Sequence, residues 1–284
     1  MSKSVSARET TTEEAATWQS KYERDGYLVV ENALEPELVA AMRVVMDRIE
    51  ADFAAGTLPD SLRRTIMTER SRTRYQRTGQ VDSDVISNVM ELPLFDPVFR
   101  DLIVHPRVLD ILETLFATGE FAFHNYKCIC KMPGNKAPFA WHRDLPYLQH
   151  TSPDLITCML CLDDMTVENG ATVVCPGTHR IAPAVVKDSD RDMDEAEIPT
   201  PRVAVVCPAG SAVLFHVNLI HGGGPNLSDT KRRNAISIWS APGAHPTTPH
   251  RYAYQGVRPR SRDAQRQKQI AMTFGTEPSS PSAP

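Results

Sequence analysis

His142 and Asp144 stand two residues apart in the stretch Trp141-His142-Arg143-Asp144. On an extended strand alternate residues share a face, so this spacing would project an imidazole and a carboxylate together. Those are two of the three donors of a 2-His-1-carboxylate set, which holds Fe(II) on one side and leaves its other positions open. A second stretch, His221-Gly222-Gly223-Gly224-Pro225-Asn226, supplies a third donor. The three glycines beside it allow the backbone to approach something bound. The distance in sequence between His142 and His221 suits ligands on opposite strands of a barrel.

Lys231-Arg232-Arg233 follows and opens the run through Asn234 to Trp239. A buried arginine there suits a two-pronged contact with a carboxylate. Strand alternation sets Arg232, Asn234, Ile236 and Ile238 on one face, and Arg233, Ala235, Ser237 and Trp239 on the other. Periodicity alone does not say which face looks inward. Thr157, on the strand-like run after the His-X-Asp turn, offers a hydroxyl to the same carboxylate.

The elements that must position these residues fall into two zones. Helices are expected from Thr12 to the Asp25-Gly26 stop and from Glu35-Pro36 onward, with Pro36 in the first turn. The apolar stripe of the second is Leu38, Met42, Val45, Met46 and Ile49. Between them Tyr27–Val30 reads as a short buried strand. Val85 to Phe99 and Pro106 to Phe116 also read as helical. The stretch 54–83 is poorly patterned and carries Arg63, Arg64, Arg70, Arg72, Arg74 and Arg77. It is either a solvated surface or a positively charged lid for an anionic substrate. From Phe121 the pattern becomes one of short strands between Pro and Gly turns: Phe121–Met132, Phe139–Asp144, Leu155–Asp163, Thr172–Cys175, Val203–Cys207, Ala212–His216 and Ala235–Ser240. Residues 185–200 are rich in Asp and Glu and are expected to be a surface insert. The set predicts an all-β core with flanking helices, in the manner of a double-sheet jelly roll with a helical N-terminal region. One domain is expected over residues 13–276, between disordered ends at 1–12 and 277–284.

The totals agree with a folded globular protein. The chain has 284 residues, of which 41% are hydrophobic. A net charge of −4 and a pI near 6.1 give no reason to invoke nucleic acid or a membrane surface. No apolar run is long enough for a membrane span, and Met1-Ser2-Lys3-Ser4-Val5 lacks a hydrophobic leader core. A cytoplasmic protein is the expectation. The six cysteines form no disulfide scaffold in a chain this long. Cys158 and Cys161 spell C-x-x-C but lie in an apolar strand-like run where i and i+3 face opposite ways, so all six read as core.

Taken together, these stretches resemble the phytanoyl-CoA dioxygenase family of Fe(II)/2-oxoglutarate-dependent oxygenases. The likeness includes Asp25-Gly26-Tyr27-Leu28-Val29-Val30 and Trp141-His142-Arg143-Asp144. It continues through Leu162-Asp163-Asp164 with Glu168-Asn169-Gly170 and Pro176-Gly177-Thr178-His179-Arg180, to His221 with Gly222 and Arg232. The resemblance implies a cupin-like double-stranded β-helix. It implies that His142, Asp144 and His221 hold Fe(II), and that Arg232 rather than Arg233 anchors the distal carboxylate of 2-oxoglutarate. Thr157 would assist there. Asn125 and Lys131 lie on a strand where family members carry polar residues near 2-oxoglutarate or substrate. O2 would be the further cosubstrate, with succinate and CO2 as co-products and hydroxylation of a small-molecule C–H bond as the outcome. Related halogenases replace the carboxylate ligand by a small residue, so Asp144 argues against halogenation.

Other candidates are weaker. Tyr147 would line the substrate mouth or cap the core, while His124 and His179 read as structural. Two other functions fit the same motifs: a non-catalytic 2-oxoglutarate or metal sensor, and an oxygen-independent hydrolase or isomerase on the same barrel. Neither the substrate nor the oligomeric state is legible in the sequence.

Overall fold

The computed structural model describes residues 10–76, 81–134, 137–181 and 191–276. The expected disordered tail and residues 1–9 lie outside these. The first zone comprises helix α1 (Thr12–Asp25), strand β1 (Tyr27–Val30), α2 (Pro36–Ala55), α3 (Asp60–Arg63), β2 (Ile66–Thr68), α4 (Glu69–Gln76), β3 (Ile86–Met90), α5 (Pro97–Asp101) and α6 (Pro106–Phe116). The second comprises β4 (Ala122–Lys131), β5 (Phe139–His142), α7 (Leu145–Leu148), β6 (Leu155–Cys161), β7 (Thr172–Val174), β8 (Val203–Ala204), β9 (Ala212–His216), β10 (His221–Gly223), β11 (Arg232–Ser240) and α8 (Ala264–Phe274).

Two antiparallel sheets form the barrel. The larger runs β1-β9-β6-β11-β4-β3-β2 and the smaller β5-β10-β7-β8. Between them lies a core that includes Met159, Val174, Val213, Phe215, Ile236 and Ile238. The outer face of the large sheet carries Cys128, Cys158, Leu160, Ala235 and Trp239, which share a second core with Met42, Met46 and Ile49 of α2. Each such fully buried apolar side chain contributes about 1.5–3 kcal/mol. Antiparallel register fixes which side chains enter the barrel. Ile236 lies opposite Lys127 and Met159, and Ile238 opposite Asn125 and Thr157.

Local chemistry sets the element ends. Thr11 and Glu14 form a reciprocal capping box at the start of α1, and Arg107 donates to Thr10 at 2.7 Å. The folded chain therefore begins earlier than the expected boundary at residue 13. Gly26 ends α1 at φ +78, where a Cβ would sit 2.3 Å from the His179 ring. That glycine lets the chain turn straight into β1.

Three expectations need correction. Val85 to Phe99 is not a helix: it holds β3, a short turn and α5. Both faces of β3 are buried, with Val89 in the helix-side core and Asn88 and Met90 lining a cavity, so its polarity shows no clean alternation. The unpatterned stretch 54–83 contains α3, β2 and α4, and the strand expected at Val203–Cys207 shortens to Val203–Ala204. Helix α8 was not foreseen at all. All six cysteines are free and buried, with Cys158 on the helix side and Cys161 between the sheets. Among the described residues, no helix is long and apolar enough to cross a membrane.

Candidate metal centre and its cavity

His142 and His221 are not on opposite strands. They face each other directly across β5 and β10, in register, with ring centroids 4.2 Å apart. Asp144 is not on the strand either. Strand β5 ends at His142, and Asp144 caps α7 with helical backbone angles. Its amide donates to the Val217 carbonyl at 2.8 Å, and its Oδ2 accepts from Thr157 at 2.7 Å. Two anchors distant in sequence therefore turn the carboxylate back toward the imidazoles. Arg143, between the pair, is buried and donates to the carbonyls of Thr178 and Asn218.

One donor atom from each of His142, Asp144 and His221 lies within 4.8 Å of the others. The Nε2 atoms of His142 and His221 stand 3.7 and 3.9 Å from Asp144 Oδ1. The other ring nitrogens are committed: His142 Nδ1 to the Ala140 carbonyl at 2.7 Å and His221 Nδ1 to the Leu219 carbonyl at 3.0 Å. A carbonyl only accepts, so Nδ1 carries a proton in each ring and Nε2 is the nitrogen left to face the cation site. Burial, and then His142, lowers the His221 pKa to about 4, so its imidazole is neutral near pH 7. Burial pushes the Asp144 carboxyl up, but His221, His142 and Lys127 together outweigh it and hold the carboxyl below its usual range. Two imidazole Nε2 atoms and a carboxylate oxygen converging on one point fit a divalent cation, and leave the cavity side open.

The three donors border a cavity of about 290 Å³. At its inner end lie Arg232 and Lys131, paired across β11 and β4 and both buried. Arg232 donates to the Gly170 carbonyl at 3.1 Å. Lys131 donates to the same oxygen at 2.8 Å and to the Gly224 carbonyl. Burial brings Arg232 down to about 10, and burial with the neighbouring Arg232 and Arg72 lowers Lys131 well below its ordinary value. Among the described residues, Arg232 Nε has no hydrogen-bond partner. A buried guanidinium with a free donor at the end of a cavity fits an incoming carboxylate. The site thus suits a small dianion alongside a metal.

Thr157 does not offer its hydroxyl to that end, because it is spent on Asp144. Asn125 lines the cavity with a buried, unpartnered Oδ1. Tyr147 lines it too, edge-on to His142 at 5.7 Å between centroids. His124 and His179 do not line it; His124 packs against His150 and Tyr252. The glycines after His221 serve the protein itself. A Cβ on Gly222 would crowd Trp141 at 3.2 Å, and one on Gly223 would crowd Lys131 at 3.0 Å.

Sequence reasoning missed Lys127, Phe139 and Phe215 as cavity residues, and did not single out Arg72 within its arginine-rich stretch. For Lys127 the signal was present: it alternates with Asn125 and Lys131 on one strand. Arg72 reads as surface charge, yet it is buried, bonded to Glu69 at 2.6 Å and stacked 4.2 Å above Phe139.

The chain is similar to known proteins. A model of the family described as phytanoyl-CoA dioxygenase matches residues 22–234. A probable alpha-ketoglutarate-dependent hypophosphite dioxygenase of Stutzerimonas stutzeri is 27% identical over 81% of this chain and 80% of its own. A probable phytanoyl-CoA dioxygenase of Caenorhabditis elegans is 28% identical over 76% of this chain and 72% of its own. Among solved structures, EctD from S. alaskensis with 2-oxoglutarate and 5-hydroxyectoine superposes with a TM-score of 0.64 at 24% identity, covering 84% of this chain and 80% of that one. The last likeness bears on the fold.

Proposed function

The chain belongs to the phytanoyl-CoA dioxygenase family, and from that premise we propose that it is an Fe(II)- and 2-oxoglutarate-dependent oxygenase acting on a C–H bond of a small molecule. The observation that carries the reading is the convergence of His142, Asp144 and His221 within 4.8 Å. They border a cavity whose far end holds Arg232 and Lys131.

In this reading His142 and His221 hold the metal through Nε2, and their Nδ1–H bonds to backbone carbonyls keep both rings oriented. Asp144 supplies the anionic donor, and Thr157 fixes its second oxygen. Arg232 takes the distal carboxylate of 2-oxoglutarate. Lys131 draws the Gly170 and Gly224 carbonyls together around that end. Bound iron, 2-oxoglutarate and O2 would supply oxidation coupled to release of succinate and CO2. Phe139, Phe215, Met159 and Ile236 keep water from the inner cavity, which protects the oxidant and leaves positioning as the protein's main task. Asn125 and Tyr147 stand where the substrate enters.

The relatives are named for hypophosphite, ectoine and phytanoyl-CoA, which supports a small-molecule substrate. The six unbonded buried thiols suit a reducing cytoplasm. The test is reconstitution with Fe(II) and 2-oxoglutarate, followed by succinate release and product mass over a substrate panel. His221→Ala should lose stoichiometric iron and turnover while keeping its circular dichroism. Succinate release independent of iron, or full turnover in His221→Ala, would overturn the reading.

A further inference from the structure

We propose that Lys127 receives an anionic group of the substrate, which makes the substrate a small organic carboxylate or phosphate ester rather than a neutral molecule. The inference rests on the oxygenase reading and specifies the other half of the same cavity.

Lys127 shares its face of β4 with Lys131 and lies four residues away, about 13 Å along the strand. The two lysines mark different parts of one cavity. Lys131 is buried and hydrogen-bonded to two carbonyls. Lys127 is half-buried, and among the described residues it has no hydrogen-bond acceptor or ion-pair partner. The other cations of the wall are accounted for: Arg72 pairs with Glu69 at 2.6 Å, and Arg232 is assigned to the distal carboxylate of 2-oxoglutarate. Asp144 does not serve Lys127. Its Oδ2 is held by Thr157 and its Oδ1 faces the two imidazoles. Lys127 lines the same cavity as the three donors and lies opposite Ile236 of β11, between Asn125 and Ile129 on its own strand.

A half-desolvated ammonium without a counter-charge is unfavourable unless something pairs with it. The occupants already assigned do not supply that pair. Asp144 and a 2-oxoglutarate dianion would together balance a divalent iron and Arg232, and burial beside Arg232 and Arg72 drives Lys131 toward its neutral form, so Lys127 remains over. The surrounding wall is largely apolar and includes Met67, Met90, Leu148 and Ile238. A fitting substrate therefore has an apolar body and one anionic end. Pairing that end with Lys127 would fix which carbon is presented to the metal.

The test is anaerobic calorimetric titration of the iron-loaded protein, run with and without 2-oxoglutarate. The probes are hexanoate, octanoate and phenylacetate, each against its primary amide, and octyl phosphate. In the wild type the best anion should bind at least about 10-fold tighter than its amide, a difference of about 1.4 kcal/mol. Lys127→Met should abolish that preference, Lys127→Arg should keep most of it, and 2-oxoglutarate should bind all three proteins alike. The phosphate and carboxylate arms decide which anion is preferred. No anion preference in the wild type overturns the proposal, as does a preference that survives Lys127→Met. So does a loss that falls on 2-oxoglutarate instead. A wild type that binds the anions but no 2-oxoglutarate would sink the oxygenase reading and leave the Lys127 assignment standing.

Discussion

Arg232 and Arg233 are neighbours on β11 that serve opposite sides of the sheet. Arg232 lines the cavity and donates to Gly170. Arg233 points toward α2, bonded to Asp163 at 2.9 Å and Asp47 at 2.7 Å. Removing one partner of a buried charge-assisted pair costs about 3–5 kcal/mol. Arg232→Ala should therefore weaken 2-oxoglutarate on the order of 10² to 10³-fold with iron still bound. Arg233→Ala should instead lower the unfolding free energy by about 1–3 kcal/mol, because Asp47 is half-exposed, and leave 2-oxoglutarate affinity nearly unchanged. Titration of 2-oxoglutarate and urea unfolding of both variants decide it. A large cosubstrate effect in Arg233→Ala would reverse the assignment.

Thr157 fixes the orientation of the Asp144 carboxylate. Its hydroxyl donates to Oδ2 at 2.7 Å, which leaves Oδ1 as the free donor atom. Loss of such an orienting bond costs about 10–100-fold in metal affinity or activity. Thr157→Val should show that loss in a metal titration, and Thr157→Ser should recover most of it. Equal metal affinity in the valine variant would leave the hydroxyl without this role.

These two cases show what was legible in the sequence and what was not. Residue types singled out His142, Asp144 and His221, and the family resemblance, not alternation, chose Arg232 over Arg233; the same-face premise for Asp144 does not hold, because β5 ends at His142. Register is not local, and only the pairing of β11 with β4 and β6 turns Arg232 inward. Asp144 reaches the imidazoles through Val217 and Thr157, contacts that its own neighbourhood does not encode. Strand β3 was misread because both its faces are buried. Helix α4 was missed because its Arg72 and Glu69 neutralise each other inside the protein, so charges that read as solvated are core.

Gly170 tests how tightly the inner end is built. It has φ +75, and a Cβ there would stand 2.5 Å from the Gly224 oxygen and 2.9 Å from Lys131 Nζ. Its own carbonyl accepts from both Arg232 and Lys131. Gly170→Ala must move backbone that these cations depend on, and an L residue at positive φ adds about 1 kcal/mol or more of strain. The expected result is a lower thermal midpoint together with weakened 2-oxoglutarate binding and retained iron. A variant with reduced stability but wild-type 2-oxoglutarate affinity would separate Gly170 from that subsite.

Buried histidines make the iron-free protein acid-sensitive: burial lowers His150 and His179, and lowers His124, His216 and His221 furthest. Burial is the largest cause in each case. It lowers His124 to about 3, with His150 and His250 adding to it. It lowers His216 to about 4 with help from His179, and His221 to about 4 with help from His142. Unfolded, each histidine returns to its ordinary value near 6.5. Between the folded and unfolded values the unfolded chain binds more protons, so stability falls as pH falls. The stabilisation is fully present above pH 6.5 and is lost progressively toward about pH 4. By pH 5 each of His124, His216 and His221 should cost about 2 kcal/mol relative to neutral pH, on the order of 5 kcal/mol together. His216 Nδ1 accepts from the Asn218 amide at 3.0 Å, and the side-chain oxygen of an asparagine offers a comparable acceptor without titrating. In urea unfolding of the iron-free protein between about pH 7.5 and pH 5, His216→Asn should therefore lose about 2 kcal/mol of the drop. A wild-type profile that is flat across this range, or a His216→Asn profile as steep as the wild type, would show that these rings do not stay neutral in the folded protein.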